Sequence, residues 1–360
     1  MIFGKVELNS PYLWKKGRWS KPLIDEMGIT HNGRSQAVSR ALSDFGSEES
    51  FEQAAKRFKE HYKYELSAST VNRVTKGISR EARVHVEDKL FEAGERYGEN
   101  TGRETEEMLI ELDGCEIRTA KLRPKENTNE KSPVHQKPRK EKVVHWHEVR
   151  IGLARPVTST AKIYIGKMDS YPAVVNQLFN AAVLSGMSPK TKVIGIADGG
   201  NGLKEELENQ FENLQFILDK THLKDHLYET SEELGIETKD RPVWVHGYLD
   251  RISKGHVDQV IEELEATYKG SKTHRVKRLI GYLRRFINAL NYDEFKKNGY
   301  PIGSGEVESA HRSIPQKRMK LPGACWHPAT INPMLSLRVM RANDWWNIFW
   351  EKQTNEKLAA

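Results

Sequence analysis

Between Met108 and His222 the sequence alternates between short apolar runs and longer segments with helical periodicity, and this alternation restricts the fold more than any other feature. Strands are predicted in EEMLIELDGCEIRTA, WHEVRIGLARPV, AKIYIGKM, TKVIGIADGG and LQFILDKTH. Helices are predicted in SYPAVVNQLFNAAVLSGM and NGLKEELENQF. The resulting order, β-β-β-α-β-α-β, predicts a mixed α/β sheet with flanking helices.

The segment before this sheet is predicted to be all-helical. In SEESFEQAAKRFKEHY the apolar residues recur at helical spacing, and Ser67 is a suitable N-cap for the helix in SASTVNRVTKGI. A helix, a short break and a second helix give the outline of a helix-turn-helix, although an ordinary helical hairpin with a polar face has the same pattern. In the first interpretation the second helix presents to a DNA groove Ser69, Thr70, Asn72, Arg73 and Lys76. A further helix is predicted over residues 79–98.

The first 33 residues allow two interpretations. Trp14 and Trp19 stand among four basic residues, Lys15, Lys16, Arg18 and Lys21. The segment is therefore expected to be either an arm on DNA or an irregular cap on the next domain.

The chain as a whole is expected to have four parts. Residues 1–98 form an N-terminal helical, DNA-binding region, and residues 99–222 form the first part of the sheet-containing core. Within that core, residues 123–142 carry seven basic residues, three acidic residues and almost nothing apolar, which predicts an exposed loop. Residues 223–300 are charged and helical, and residues 301–360 complete the core.

The amino-acid composition indicates which kind of molecule the protein binds and in which compartment it is found. The formal net charge is +7, from 57 basic and 50 acidic side chains, which favours a polyanion such as nucleic acid over a merely basic soluble enzyme. With Cys115 and Cys325 as the only cysteines, no disulfide framework or cysteine zinc cluster is expected. No apolar run reaches the roughly 20 residues of a membrane span, and the first residues lack the pattern of a signal peptide. We therefore expect a cytoplasmic protein without a membrane partner.

Three carboxylates occupy positions where a ligand is expected. Asp113 and Asp198 each end an apolar strand and precede glycine, and Glu306 and Glu308 begin a helix after the turn GSG. Taken singly, an Asp-Gly pair is a common turn and a glutamate in a first helical turn commonly offsets the helix dipole. If the sheet brings these ends together, their repulsion favours a divalent cation. Oxygen ligands suit Mg²⁺ or Mn²⁺, and two such ions would support phosphoryl transfer.

A basic stretch follows these glutamates, since no acidic residue occurs between Glu308 and Asp344. Its cations would neutralise DNA phosphates next to the carboxylates. They are Arg312, Lys317, Arg318 and Lys320. Trp326 either stacks on a distorted base or fills a gap in the core.

Over residues 40–350 the chain resembles bacterial insertion-sequence transposases of the DDE class, and within that class the Kra group. The resemblance rests on ELDG at 111–114, IADGGNGL at 196–203, ILDKTHLKDHL at 217–227, YPIGSGEVESAHR at 300–312, QKRMKLPGACW at 316–326 and LSLRVMRANDWW at 335–346. It implies an RNase H-like (retroviral-integrase type) fold with a helical insertion before the last acid.

The resemblance also implies roles for particular residues. Asp113, Asp198 and Glu308 would be the catalytic, metal-binding triad, because the family carries its glutamate in the context GSGxVE. Asp219 and His222 match a D-x-x-H element that would order DNA or the active site, or be structural. One departure is the absence of the cysteine-rich segment that relatives often carry near the N-terminus.

The implied activity is DNA transposition. The protein would cleave the terminal inverted repeats of a mobile element and join the 3′-OH ends to target DNA, working on DNA as a homodimer or larger oligomer. Three alternatives remain: an RNase H-fold nuclease or resolvase that only hydrolyses nucleic acid, a domesticated and catalytically inactive DNA-binding protein, and an unrelated metal-binding α/β hydrolase.

Overall fold

The computed structural model of the chain describes residues 2–359 apart from residues 3, 10, 16–17, 28, 30–32, 101, 103, 125–139 and 269–273. Among the described residues, no helix combines the length and the apolar character needed to cross a membrane.

A small surface unit comes first. Strands β1 (Leu13–Lys15) and β2 (Arg18–Ser20) form an antiparallel hairpin, and the short helix α1 (Pro22–Glu26) packs against the C-terminal helix of the chain. The rings of Trp14 and Trp19 contact each other, yet both side chains are largely exposed. The segment therefore packs through α1 and leaves its aromatic rings at the surface.

Three helices then build a small core of their own. They are α2 (Gln36–Glu48), α3 (Phe51–Tyr62) and α4 (Ala68–Gly94). Their apolar faces meet around Leu42, Phe58 and Val71, all fully buried. Close approach of α2 and α4 requires a glycine, because a Cβ on Gly46 would lie 2.1 Å from Thr75 Oγ1. This is the helical N-terminal region that the sequence predicts.

Helix α4 differs from the prediction in its length. Ser67 caps it as predicted, accepting a hydrogen bond from the N–H of Thr70, but the helix runs for 27 residues without the break expected near residue 79. Its first half belongs to the small N-terminal core, whereas Val86 and Leu90 in its second half are buried in the main core. One continuous helix therefore joins the two cores.

The main core is built on a five-stranded sheet with the order β5-β4-β3-β6-β7. Its strands are β3 (Glu107–Pro124), β4 (Lys140–Pro156), β5 (Ile163–Lys167), β6 (Lys192–Ala197) and β7 (Leu214–Leu218). Strand β4 is antiparallel to both of its neighbours, while β3, β6 and β7 are parallel. Helices α5 (Tyr171–Leu184) and α6 (Leu203–Gln210) connect β5 to β6 and β6 to β7. This is the RNase H-like arrangement, so the predicted fold class is confirmed.

The first two strands are longer than expected. The segment 123–142 was predicted as a loop, but β3 and β4 remain paired out to Pro124 and Lys140. Only residues 125–139 of the predicted loop lie outside the described residues. The two strands therefore extend as a two-stranded ribbon well beyond the point where β6 stops pairing with β3, at Leu112.

Helices form the rest of the chain. The predicted insertion contains α7 (Lys220–Glu233), α8 (Arg241–Ser253), α9 (Val257–Thr267), α10 (His274–Arg285) and α11 (Tyr292–Lys297). It is followed by α12 (Gly305–His311), α13 (Lys317–Met319), α14 (Ile331–Ala342) and α15 (Trp346–Ala359). A π-helical turn over Arg312–Gln316 joins α12 to α13. It contains Pro315, which has no N–H to donate to the helical ladder.

Two buried arginines attach helix α2 to the C-terminal helices. The last carbonyls of a helix lack intrahelical partners. Arg318 Nε donates to the Gly46 carbonyl at 2.8 Å, and Arg338 Nη1 donates to the Ser47 carbonyl at 3.1 Å. Arg338 also forms an ion pair with Glu48. These contacts cap α2 from outside and hold the N-terminal helices on the main core.

The position of Arg318 corrects the prediction that it contacts DNA. Its side chain is 3% exposed, and its guanidinium lies over the rings of Phe51 and Trp326, 4.6 and 4.8 Å from their centroids. Burial lowers its pKa to about 10. The planar guanidinium is used for stacking and capping, so Arg318 is a structural residue.

We predict that Arg318→Ala lowers the free energy of unfolding by about 2–4 kcal/mol, because it leaves the Gly46 carbonyl without a donor and opens a gap between two rings. Urea unfolding measures the loss. The exposed neighbour Arg312→Ala is the control and should change stability by no more than about 0.5 kcal/mol. Equal stabilities of the two variants would contradict the capping role.

Candidate active site at the carboxyl edge of the sheet

Strand register places three aspartates in one row. Leu112 of β3 is paired with Ala197 of β6, and Ala197 is paired with Leu218 of β7. The residues that follow these three are Asp113, Asp198 and Asp219. Neighbouring strands lie about 4.8 Å apart, so the row crosses the sheet where β6 and β7 end. Asp113 does not end its strand as predicted, because β3 continues to Pro124. Two of the predicted acids and the aspartate of the D-x-x-H element thus meet at one edge.

Helix α12 lies against this edge and brings an imidazole to Asp113. His311 Nε2 is 3.2 Å from Asp113 Oδ2, and the histidine is only 3% exposed. The orientation makes this a charge contact rather than a well-aligned hydrogen bond. Asp113 Oδ1 accepts a hydrogen bond from the N–H of Gly114 at 2.7 Å. Asp113 is therefore held from its own strand and from α12.

The electrostatics of this pair favour its charged form. Burial alone would lower the pKa of His311, but its contacts with Asp113 and Cys115 raise the pKa to about 9. Burial likewise opposes ionisation of Asp113, yet His311, the Gly114 N–H and the nearby charge of His222 leave its pKa below the usual value. At neutral pH the site contains an ionised aspartate beside a protonated histidine.

The two glutamates of α12 have different environments. Arg155 binds Glu306 through two nitrogens, with Nη2 at 2.7 Å, and Lys162 is 3.0 Å away. Although burial opposes it, these cations lower the pKa of Glu306. Glu308 is exposed, forms no ion pair with a described residue, and lies three positions before His311, on the same face of the helix. Glu308 therefore lies one helical turn from the histidine that contacts Asp113, and its side chain is not committed to an ion pair among the described residues.

Asp219 lies in the same row as Asp113 and Asp198, but its side chain is more deeply buried than theirs. It is fully buried, and its Oδ1 accepts the backbone N–H groups of Thr221 and His222 at the start of α7. Its Oδ2 accepts the N–H and the hydroxyl of Ser304, both at 2.6 Å. Because both oxygens are used, Asp219 fastens the GSG turn, and with it α12, to the edge of the sheet.

The helical insertion closes one side of the site. A Cβ on Gly199 would lie 2.2 Å from the ring of Tyr282 in α10, so this position must be glycine for the ring to cover the end of β6. Burial first, and then the charges of Asp198 and Asp219, raise the pKa of Tyr282. The insertion is therefore part of the site and not a separate appendage.

A fourth carboxyl group, which the sequence reasoning missed, lies under α12. Glu111 is two residues before Asp113 on β3, so both side chains project from the same face of the strand. It is 1% exposed, and Oε2 accepts the N–H of Val307 at 2.7 Å while Oε1 has no partner among the described residues. Burial, opposed by the Val307 hydrogen bond and reinforced by the charge of Glu306, raises the pKa of Glu111 to about 7. Glu111 ties the first turn of α12 to the sheet.

The predicted DNA contacts after Glu308 fall into two groups. Arg312 and Lys320 are exposed, and Lys317 is also exposed although its Nζ is 2.5 Å from Glu48 Oε2. Arg318 is buried, as described above. Trp326 is 6% exposed, its indole N–H donates to the Met319 carbonyl, and its backbone pairs with β3 at Thr119. Of the two roles considered for Trp326, the structure favours packing.

The predicted DNA contacts of the N-terminal region lie on the first three turns of α4. Ser69 and Arg73 are exposed, and the remaining three are partly exposed: Thr70, Asn72 and Lys76. Before them, α3 ends at Lys63, whose φ of +60° turns the chain into the short link to α4. The predicted helix, turn and helix are present, and contact with DNA stays a prediction.

The positions and the chemistry of these side chains bear differently on metal binding. No three His, Cys, Asp or Glu side chains in the described part of the chain are close enough to hold one ion as they stand. The chemistry of the donors does fit, because Asp113, Asp198 and Glu308 offer only hard oxygen atoms. A site would be completed only if the exposed Glu308 side chain turned towards the two aspartates.

No protein-family model and no curated protein matches the sequence. Among solved structures, the chain is similar to the Drosophila P element transposase strand transfer complex, with 11% sequence identity and a TM-score of 0.29 over 90% of this chain and 83% of that chain.

The raised pKa of Glu111 predicts an unusual dependence of stability on pH. Its folded-state pKa, about 7, lies above the unfolded value of 4.5, so the folded protein is favoured while the carboxyl is protonated. Its contribution is complete below pH 4.5 and is lost as pH rises through 7. At about 1.4 kcal/mol per pKa unit the loss amounts to about 3 kcal/mol.

Replacing Glu111 with Gln should therefore remove that part of the pH dependence. Urea unfolding at several pH values should show the Glu111→Gln variant gaining stability relative to the native protein as pH rises from 4.5 to 7. Glu116→Gln, an exposed change on the same strand, is the control. A constant difference between variant and native protein over this range would show that Glu111 titrates normally.

Proposed function

We propose that this protein is a DDE-type DNA transposase, which cuts DNA at the ends of a mobile element and joins the free 3′-OH to target DNA. The observation that carries the proposal is the register of β3, β6 and β7, which sets Asp113 and Asp198 side by side. Glu308 lies one helical turn from the histidine that contacts Asp113. An RNase H-like sheet with acids at these positions supports metal-dependent phosphoryl transfer.

Asp113, Asp198 and Glu308 would hold one or two Mg²⁺ or Mn²⁺ ions. Bound there, the ions would supply activation of water or of a 3′-OH and neutralisation of the leaving oxygen. The protein's own residues position these acids. His311 holds Asp113, Asp219 holds the GSG turn before α12, and Glu111 holds the first turn of that helix. Asp113 and the helix that carries Glu308 are thus held by neighbours that are not themselves ligands.

DNA would approach from the exposed side of α12 and the segment that follows it. Arg312 and Lys320 are exposed there and would neutralise phosphates next to the cut. The first turns of α4 would read the terminal inverted repeats in a groove. Bringing two ends of an element together requires two active sites, so we propose that the protein works as a dimer or larger oligomer on DNA.

The finer assignment to the Kra group of bacterial insertion sequences rests on the sequence motifs alone. The motifs that support it occupy structural positions consistent with one shared site: ELDG lies where β6 stops pairing with β3, and GSGEVE builds the turn and helix that face this point. A cytoplasmic bacterial protein follows from the same proposal.

We predict that Asp113→Asn, Asp198→Asn and Glu308→Gln each reduce DNA cleavage and strand joining by more than about 100-fold, a larger loss than removing a residue that only supports a ligand. The assay uses purified protein, Mg²⁺ and duplex DNA from the sequences flanking the coding region. Binding of Mn²⁺, followed by electron paramagnetic resonance, gives a second readout that does not depend on activity. It should weaken in all three variants.

Glu306→Gln is the matched control for Glu308→Gln. Both changes remove one carboxylate from the first turn of α12, but Glu306 is paired with Arg155 and Lys162 and should be dispensable for cleavage. Loss of activity in Glu306→Gln with retention in Glu308→Gln would reverse the assignment. Cleavage without joining would identify a nuclease or resolvase, and DNA binding without any cleavage would identify an inactive DNA-binding protein.

A further inference from the structure

The ribbon formed by residues 116–124 and 140–148 has one face that the rest of the described protein leaves uncovered. Register pairs Arg118 with Trp146, Ala120 with Val144 and Leu122 with Lys142. Paired residues, and alternate residues along each strand, share a face of the ribbon. The exposed fractions of Leu122 and Trp146 are 66% and 63%.

The opposite face of the ribbon is packed. Ile117 and Thr119 are fully buried, and the Thr119 hydroxyl is 2.8 Å from His147 Nδ1. Trp326 pairs with the free edge of β3 beside Thr119. The base of the ribbon is therefore fixed on one side by the protein, whereas Leu122 and Trp146 on its outer face are left uncovered by the described residues.

Charge and composition indicate which partner this face suits. The outer face carries three exposed basic side chains, Arg118, Lys140 and Lys142, and two exposed acidic ones, Glu116 and Glu148, of which Glu148 is paired with Arg150. Arg118 is directly opposite Trp146, Lys142 lies four residues before Trp146 on β4, and neither cation forms an ion pair with a described residue. The connecting segment 125–139 contains one aliphatic residue, Val134, so it has little apolar surface to offer as a cover.

An aromatic ring flanked by cations suits nucleic acid, since the ring packs on bases or sugars while the cations contact phosphates. A two-stranded ribbon also has the width to enter a DNA groove.

We infer that the outer face of this ribbon is a second DNA-binding surface. This inference concerns binding and does not rest on the proposed function. Trp146 supplies the apolar contact, and Arg118 and Lys142 supply the phosphate contacts.

The test measures the affinity of the full-length protein for a fluorescent 30-base-pair duplex without divalent metal, so that cleavage does not intervene. Trp146→Ala should weaken binding at least about tenfold, as expected when an aromatic contact to a base is removed. The control, Phe91→Ala, removes an aromatic side chain that is 61% exposed on α4 and should leave the affinity unchanged. The double variant Arg118→Ala/Lys142→Ala should lower the slope of log K against log salt concentration by about 2.

Unchanged affinity of Trp146→Ala would overturn the inference. So would dissociation of a DNA-free oligomer in Trp146→Ala, seen by sedimentation velocity, because the face would then be an interface between copies of the chain. Repeating the binding assay in the Asp113→Asn background separates the two proposals. If the native protein fails to cleave but the Trp146 effect persists, the proposed function fails and the ribbon remains a DNA-binding surface.

Discussion

The structure depends on the register of three parallel strands. Leu112, Ala197 and Leu218 are paired across β3, β6 and β7, so the residues that follow them reach the carboxyl edge at one level. A shift of a single residue in either pairing would turn an aspartate to the opposite face of the sheet. Burial of both faces of these strands fixes the register, because any such shift would expose apolar side chains. Core packing therefore determines the geometry of the candidate site.

Burial distinguishes acidic residues that occupy equivalent positions in the strand register. Asp219 is fully buried, and both of its carboxylate oxygens accept hydrogen bonds from backbone N–H and hydroxyl groups. Part of the Asp113 side chain, in contrast, reaches the surface. The same contrast separates Glu306, held by two cations, from Glu308. The D-x-x-H element contributes through this contrast, because its aspartate sets the position of α12. Some carboxylates therefore form the candidate site, and others hold the surrounding elements in place.

The parts of this arrangement that the sequence could predict are those encoded by local patterns. The order of strands and helices, the aspartate that follows β6 and the Ser67 cap all follow from residues close in the chain. His311, Tyr282 and Glu111 were missed, because each acts on the site through a contact far along the chain or a burial that no local pattern shows. Arg318 was misassigned for the same reason. A run of basic residues suggests contacts with DNA, but the sequence does not show that tertiary packing buries one of these residues.

The continuity of α4 has a mechanical consequence. A helix of 27 residues is about 40 Å long, and it is buried in the N-terminal core at one end and in the main core at the other. Arg318 and Arg338 bind carbonyls at the end of α2 and thereby hold the N-terminal helices on the main core at a second point besides α4. Under the proposed function, the separation between DNA held by the first turns of α4 and the scissile phosphate is therefore set by a rigid helix. Spacing between the recognised sequence and the cut would then be a fixed property of the fold.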